Sequence, residues 1–127
     1  MREESTMPKS ANQKLKLLYL MQYLLQKSNE SHPVTIQQMV DELACYGIKA
    51  ERKTLYDDLE VLRTFGLDIL MLRGKTTGYY VGSRDFELPE LKLLVDSVQS
   101  SKFITEKKTI SLIKKIEGLA SIYDAQL

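Results

Sequence analysis

The segment that most constrains the fold is residues 51–66, ERKTLYDDLEVLRTFG. Leu55, Leu59 and Leu62 recur at spacings of four and three residues, which places them on one stripe of an α-helix. Gly66 follows the helical pattern and can adopt the left-handed conformation that ends many helices. The segment therefore predicts one amphipathic helix that buries its leucine stripe and exposes a charged, polar surface.

A second helical pattern, residues 36–46, ends at Gly47 just upstream. Thr35 and Gln38 have the spacing of a capping box, which predicts where that helix begins. Two short helices joined by a tight, glycine-containing turn are the core of a helix-turn-helix unit, whose second helix enters the major groove of DNA. The side chains expected to be buried in this helix and turn are Ile36, Met39, Val40, Leu43, Ala44 and Ile48.

A longer helix is predicted over residues 12–27, with Asn12 as its N-cap. Its expected apolar face holds Leu17, Leu18, Met21, Leu24 and Leu25, and its expected polar face holds Lys14, Lys16, Gln22 and Gln26. The three residues 33–35 are expected to form a very short strand before the next helix.

Beyond the leucine-striped helix the apolar period becomes two, because Leu67, Ile69 and Met71 alternate along the chain. Residues 74–78 form a glycine-bracketed turn, and residues 79–81 are the returning strand. A two-stranded hairpin is marginal alone but stable when it packs on helices. Three helices followed by such a hairpin are the element order of a winged helix.

Two further amphipathic helices are predicted at residues 88–99 and 105–120, with Pro89 in a first turn and Thr105 as a cap. Their expected apolar residues are Leu88, Leu91, Leu94, Val95 and Val98 in the first, and Ile110, Leu112, Ile113, Ile116, Leu119 and Ala120 in the second. A second copy of the chain or the first helix could cover them. The predicted fold is thus α+β and mostly helical: a winged helix-turn-helix of three helices and a two-stranded wing, followed by two C-terminal helices.

The composition favours a globular protein that stays in the cytoplasm. The N-terminus lacks an apolar signal-peptide core, and the single cysteine, Cys45, excludes an intramolecular disulfide framework. One histidine, His32, and no CxxC pattern leave no readable metal site, and no cofactor is expected. The net charge of +1 counts against a strongly basic DNA-binding domain, so binding to DNA would need a local basic surface and a dimer.

The candidate contacts with DNA fall into two groups. The predicted base contacts, at the start of the leucine-striped helix, are Arg52, Lys53, Thr54 and Tyr56. The predicted backbone contacts are Lys49, Arg63, Arg73, Lys75 and Thr76. Four acids on the same helix, Glu51, Asp57, Asp58 and Glu60, would repel phosphates unless they point sideways or pair with Arg52, Lys53 or Arg63. An acid could also accept a hydrogen bond from a cytosine amino group.

Two motifs resemble the N-terminal part of WYL-domain transcriptional regulators. Gly47-Ile48 with ERKTLYDDL, residues 51–59, is similar to their helix-turn-helix, and this first motif is common to many winged-helix regulators. FELPELKLL, residues 86–94, and SKFIT, residues 101–105, are similar to the more distinctive linker that follows. The resemblance covers residues 12 to 120.

The resemblance implies a bacterial repressor or activator whose winged helix binds double-stranded DNA at a promoter. Residues 1–11 are polar and include Ser5, Pro8 and Ser10, so they are expected to form a disordered arm. A DNA-binding domain at 12–82 and a helical linker at 83–127 are expected after it, with a homodimer through the amphipathic helices at residues 88–99 and 105–120. In the family a C-terminal domain senses an effector ligand. This sequence ends at Leu127, where that domain would begin, so a fragment or a truncated relative is expected.

Two other functions are weaker interpretations of the same residues. The even charge balance and the four acids favour a winged helix that binds protein rather than DNA. An enzyme is disfavoured, because the sequence offers no nucleophile and base at readable spacing, and no catalytic residue is assigned.

Overall fold

The computed structural model describes residues 9–125, with side chains from residue 13 onward. Within that range the protein is mostly helical, with five helices and one two-stranded antiparallel sheet. The elements are α1 Lys9–Lys27, α2 Ile36–Ala44, α3 Arg52–Phe65, β1 Ile69–Leu72, β2 Gly78–Val81, α4 Leu88–Gln99 and α5 Glu106–Glu117. None of the described helices is both long and apolar enough to cross a membrane.

Helix α1 begins at Lys9, three residues before the expected N-cap, so Asn12 lies inside the helix. Alanine, which stands at position 11, has the highest intrinsic helix propensity of all residues, and residues 9–12 contain no glycine or proline. The predicted disordered arm at residues 1–11 is therefore wrong for its last three residues. Residues 1–8 lie outside the described part of the chain.

The buried face of α1 differs from the prediction by a rotation about the helix axis. Leu20 and Leu24 are fully buried, whereas Leu18 is 56% exposed. Lys16, which was expected on the polar face, lies on the buried stripe one turn before Leu20, and Ser28 continues that stripe beyond the helix end. Apolar residues surround this part of α1 on nearly all sides, so local periodicity does not determine which face packs inward.

Helix α2 begins as predicted. Thr35 Oγ1 accepts a hydrogen bond from the Gln38 amide, and the Thr35 amide donates back to Gln38 Oε1, 2.8 Å away. The turn after α2 uses Gly47 at φ 73°, and Ile48 is buried between the helices as expected. Of the side chains expected in this core, Ile36, Met39 and Leu43 are buried, Val40 is half-buried and Ala44 is exposed.

Helix α3 agrees with the sequence pattern. Its three stripe leucines are buried, and Gly66 ends the helix at φ 130°, with its amide donating to the carbonyls of Leu62 and Arg63. Glu51 is the N-cap residue, although its side chain makes no cap hydrogen bond.

The sheet is the hairpin β1–β2, with Ile69 opposite Val81 and Leu72 opposite Gly78. The short strand expected at residues 33–35 is a single bridge, Val34 to Tyr79. Ser28 Oγ accepts from the Val81 amide at 3.1 Å and donates to Leu24 O at 2.6 Å, which joins the end of α1 to the hairpin.

Helices α4 and α5 pack against each other around a small cluster of Leu91, Val95, Ile116 and Ala120. Thr105 caps α5 as predicted, but the helix covers residues 106–117 rather than 105–120. A two-helix hairpin buries only a narrow seam, so several side chains expected in its apolar faces stay exposed: Leu94, Ile110, Leu112 and Leu119.

The chain after α5 returns to the end of α1. The Ile122 amide donates to Gln26 O at 2.7 Å, and Asn29 Nδ2 donates to Asp124 Oδ1 at 3.2 Å. The rings of His32 and Tyr123 stack with centroids 3.6 Å apart. These contacts join residues 122–124 to the end of α1 and to the loop after it, whereas apolar side chains of α4 and α5 stay exposed, so the expected packing of these two helices on α1 is not seen in the described residues.

Candidate functional site

The polar surface of α3 divides into three strips around its leucine stripe, because successive residues are about 100° apart. Arg52, Tyr56 and Arg63 form the strip toward the β1–β2 hairpin. Lys53, Asp57 and Glu60 form the outer strip, and Thr54 and Asp58 form the strip toward α1. The predicted base contacts are thus distributed over all three strips.

The strip toward the hairpin forms part of a cleft of about 270 Å³. Arg52 and Tyr56 line it from α3, while Lys75 and Thr76 line it from the turn of the hairpin. The opposite wall is the start of α2, at residues 35–37. Two predicted base contacts and two predicted backbone contacts therefore meet around one cleft.

Tyr79 closes the same cleft from strand β2. Burial is the main cause that raises the pKa of the Tyr79 phenol, and Tyr56 adds to it, whereas Arg63 and Arg73 lower that pKa. The phenol is therefore neutral at pH 7 and keeps its hydrogen-bond donor.

Arg63 makes contacts within the protein. Its Nε donates to Ile69 O at 2.9 Å, and its guanidinium pairs with Glu60 one turn earlier on α3. Arg63 thus braces α3 against β1, and its predicted contact with the DNA backbone stays a prediction. The pairing with Glu60 is one that the sequence led us to expect.

Thr54 is also engaged within the chain. Its hydroxyl donates to Glu51 O at 3.0 Å and accepts from Lys16 Nζ at 3.1 Å. The Thr54 hydroxyl therefore faces α1, and its predicted base contact stays a prediction.

A buried ion pair lies beside Thr54. Lys16 Nζ is 2.7 Å from Asp58 Oδ2, and the Lys16 side chain is only 6% exposed. Asp58 Oδ2 is buried and accepts no hydrogen bond of good geometry, so its negative charge is balanced by the nearby ammonium of Lys16. Sequence reasoning missed this pair; the available signal was that Lys16 is in phase with Leu20 and Leu24.

The remaining candidate side chains are exposed. Lys53 lies on the outer strip of α3, and Arg73 lies just after β1. Lys49 lies in the turn before α3, where it lines a second, wider cleft of about 800 Å³ with Glu51 and Asp57.

The exposed candidate residues are more basic than the chain as a whole. Five of them are cations: Lys49, Arg52, Lys53, Arg73 and Lys75. Of the four acids at residues 51–60, Asp58 and Glu60 are paired, and Glu51 and Asp57 have no ion-pair partner among the described residues. Five cations against two acids contrast with a net charge of +1 for the chain.

The residues considered for other chemistry lie elsewhere. Cys45, expected near the core, is exposed, with its Sγ donating to Asp41 O. The His32 ring contacts Asn29 and Tyr123. Over the described part of the chain, no three His, Cys, Asp or Glu side chains are grouped so that they could hold a metal ion.

No protein-family model, no curated protein and no solved structure matches this chain.

Proposed function

We propose that the protein is a sequence-specific DNA-binding transcriptional regulator. In this proposal residues 12–82 are a winged helix-turn-helix domain, α3 enters the major groove and the turn at residues 73–78 contacts the phosphate backbone. The observation that carries the proposal is the meeting of Arg52 and Tyr56 with Lys75 and Thr76 around one cleft. Those four side chains come from two elements, and all can donate hydrogen bonds.

The local charge supports the same proposal. Five exposed cations on this surface would neutralise phosphates, and phosphate contacts fix the register of a protein on DNA without reading its sequence. Arg52 is the candidate for reading sequence, since an arginine that binds guanine through both O6 and N7 discriminates by about 1–3 kcal/mol. Lys53 and Tyr56 are the further base contacts.

Two of the four acids on α3 are compatible with a nearby duplex. Asp58 pairs with Lys16 and Glu60 pairs with Arg63, so their charges are largely compensated within the protein. Asp57 lies on the same strip of α3 as Lys53, so in the groove it would accept a hydrogen bond from a cytosine amino group.

We also propose that two copies bind together in the cytoplasm. The hairpin of α4 and α5 leaves large apolar side chains exposed, including Leu93, Phe103 and Ile110. Their burial between two copies would double the number of phosphate contacts, which a chain of net charge +1 needs. The motif resemblance to WYL-domain regulators extends this proposal to a separate sensor domain, and an effector would bind there.

The second candidate function is a winged helix that binds protein without DNA. The outward carboxylate of Asp57 and the low net charge favour it. Only the DNA-binding function predicts that the chain binds a DNA duplex at low salt and that this affinity falls as salt rises.

The test is fluorescence anisotropy with a random-sequence duplex over a salt series. DNA binding predicts that log affinity falls linearly with log salt, with a slope of about −0.9 per phosphate neutralised. The same series with the chain fused to a dimeric coiled coil shows whether pairing alone is limiting. Absence of binding at low salt by both proteins would overturn the proposal and favour the protein-binding function.

A further inference from the structure

We infer that Lys16 is a positioning residue that fixes the rotation of α3 and thereby aims Arg52 and Tyr56 toward the hairpin cleft. This inference rests on the proposed function for its consequence in DNA recognition, but its structural part stands independently. It concerns the side of α3 that faces away from the cleft.

The geometry is that of one buried cation with two partners on successive turns. Lys16 Nζ lies 3.1 Å from Thr54 Oγ1 and 2.7 Å from Asp58 Oδ2. Thr54 and Asp58 are four residues apart, so both lie on the same strip of α3. The Lys16 side chain on α1 therefore contacts two successive turns of α3.

The leucine stripe cannot do this alone. Leu55, Leu59 and Leu62 bury α3 against the core, but the hydrophobic effect is not directional. Arg63, which donates to Ile69 O, supplies a directed contact at the C-terminal end of α3, and Lys16 supplies one near its start. The hydrogen bond from the Lys16 ammonium to Thr54 has a preferred direction and distance, and the attraction between Lys16 and Asp58 weakens as their separation grows. Rotation of α3 would separate Lys16 from Asp58 and leave a buried carboxylate uncompensated.

Burial of this pair is not explained by stability. Removing two charges from water costs about as much as their attraction returns, and replacing such a pair by apolar residues is often neutral or stabilising. The best-attested use of a buried polar pair is to specify one arrangement among several. The pair of Lys16 on α1 and Asp58 on α3 joins residues that are 42 positions apart in sequence. Such a long-range contact can specify how the two helices pack against each other.

A small rotation would matter at the opposite side of the helix. Side-chain tips lie about 5–6 Å from a helix axis, so a 20° rotation displaces them by about 2 Å. That displacement breaks hydrogen bonds, whose donor–acceptor distances vary by only a few tenths of an ångström. Arg52 and Tyr56 would lose their alignment with a base while their charge and exposure stayed the same.

The test is the double variant Lys16→Met/Asp58→Leu. It removes one positive and one negative charge, so the long-range attraction to DNA is unchanged. The probes are a duplex that the parent selects from a random library and a random-sequence duplex, compared at one salt concentration. We expect unchanged affinity for the random duplex and a loss of roughly 5- to 150-fold for the selected duplex, the range for one misplaced base contact.

Two further variants separate positioning from general damage. Lys27→Met/Asp85→Leu makes the same two kinds of substitution at exposed positions that do not contact Lys16, Thr54 or Asp58, and it should leave both affinities unchanged. Lys16→Arg keeps the charge and should retain most of the selectivity. If Lys16→Met/Asp58→Leu is not folded by circular dichroism, Lys16→Met/Asp58→Asn, which also removes one charge of each sign, takes its place with the same expectation.

A readout without DNA keeps the two proposals distinguishable. If the parent binds no duplex, the proposed function fails, and the inference is then tested by the chemical shifts of the Tyr56 ring and of Thr76, which line the same cleft. These shifts should change in Lys16→Met/Asp58→Leu and stay parental in Lys27→Met/Asp85→Leu. Parental Tyr56 and Thr76 shifts in the first variant, or undiminished selectivity where DNA binds, would overturn the inference.

Discussion

Val34 and Tyr79 exchange both of their backbone hydrogen bonds: the Val34 amide donates to Tyr79 O at 2.8 Å and the Tyr79 amide donates to Val34 O at 2.7 Å. Val34 immediately precedes the cap of α2, and Tyr79 belongs to β2. The bridge therefore holds the hairpin against the start of α2, and these two elements form two walls of the cleft described above.

Gly78 is required next to this bridge because Pro33 leaves no space for a side chain. A Cβ at Gly78 would lie 2.6 Å from Pro33 Cβ, closer than real Cβ contacts. We expect Gly78→Ala to lower the free energy of unfolding by about 1–3 kcal/mol, the usual cost of overpacking. Urea denaturation followed by circular dichroism measures it. Gly74→Ala is the matched control in the same hairpin, since its nearest atom would be 3.8 Å away; equal losses in the two variants would contradict the explanation.

Arg52 is expected to contribute to sequence selectivity. Arg52→Ala should weaken binding to a selected duplex by about 1–3 kcal/mol and relax the preference at one base position, as loss of a bidentate guanine contact does. Anisotropy with the selected duplex and its single-base variants measures both effects. An Arg52→Ala protein that binds the selected duplex as tightly as the parent would show that the groove assignment is wrong.

Lys75 is expected to contribute to affinity without selectivity. Lys75→Ala should weaken binding to selected and random duplexes alike and reduce the salt slope by about one, because one phosphate contact is lost. The salt series on both duplexes measures it. A change confined to the selected duplex would instead place Lys75 at a base.

Arg84 connects the linker after β2 with the end of α1. Its guanidinium donates to Leu25 O at 2.7 Å and to Ser28 O at 2.9 Å, satisfying carbonyls at a helix end. Burial lowers the pKa of Arg84, and Asp124 partly opposes that effect. Because hydrogen bonds from a charged donor contribute about 1.5–3 kcal/mol, we expect Arg84→Met to reduce the unfolding free energy by that order.

The control for Arg84 is Arg73→Met, which changes an exposed arginine and should alter stability by less than about 0.5 kcal/mol. Urea denaturation of both variants gives the comparison. Similar unfolding free energies for the two variants would mean that the hydrogen bonds from Arg84 to Leu25 O and Ser28 O do not contribute to stability.

Tyr23 should make stability sensitive to alkaline pH. Burial is the largest cause that raises the pKa of the Tyr23 phenol, followed by the charge of Glu42. The folded protein holds this proton more tightly than the unfolded chain, so stability is full below the unfolded pKa of about 10 and falls as pH rises beyond it. Tyr23→Phe should remove that part of the loss. Denaturation midpoints of parent and variant measured between neutral and alkaline pH test this; parallel curves would contradict it.

The parts of the fold that the sequence predicts are those determined by local signals. The leucine stripe and Gly66 define α3, and the capping box of Thr35 and Gln38 defines the start of α2. The phase of α1 was not predictable, because apolar residues surround it and only packing against α2 and α3 selects the buried face. The end of α5 was not predictable either, because apolar residues continue past Glu117.

In the candidate site, too, the sequence predicts the features that depend on local signals and misses those that depend on how distant elements pack. Exposure of Arg52, Lys53 and Lys75 follows from charge and position, so these residues were correctly expected at the surface. The engagement of Arg63 with the Ile69 carbonyl depends on how β1 leaves α3, and no periodicity encodes it. The pairing of Lys16 with Asp58 likewise depends on how α1 crosses α3.

The stack of His32 on Tyr123 has a consequence for spectroscopy. A phenol ring parallel to an imidazole, with centroids 3.6 Å apart, shields the imidazole protons and moves their resonances upfield. The chain has one histidine, so these resonances need no assignment. The imidazole signals of the unaltered protein therefore report whether residues 120–125 are seated on the end of α1, and they can be followed while DNA is titrated.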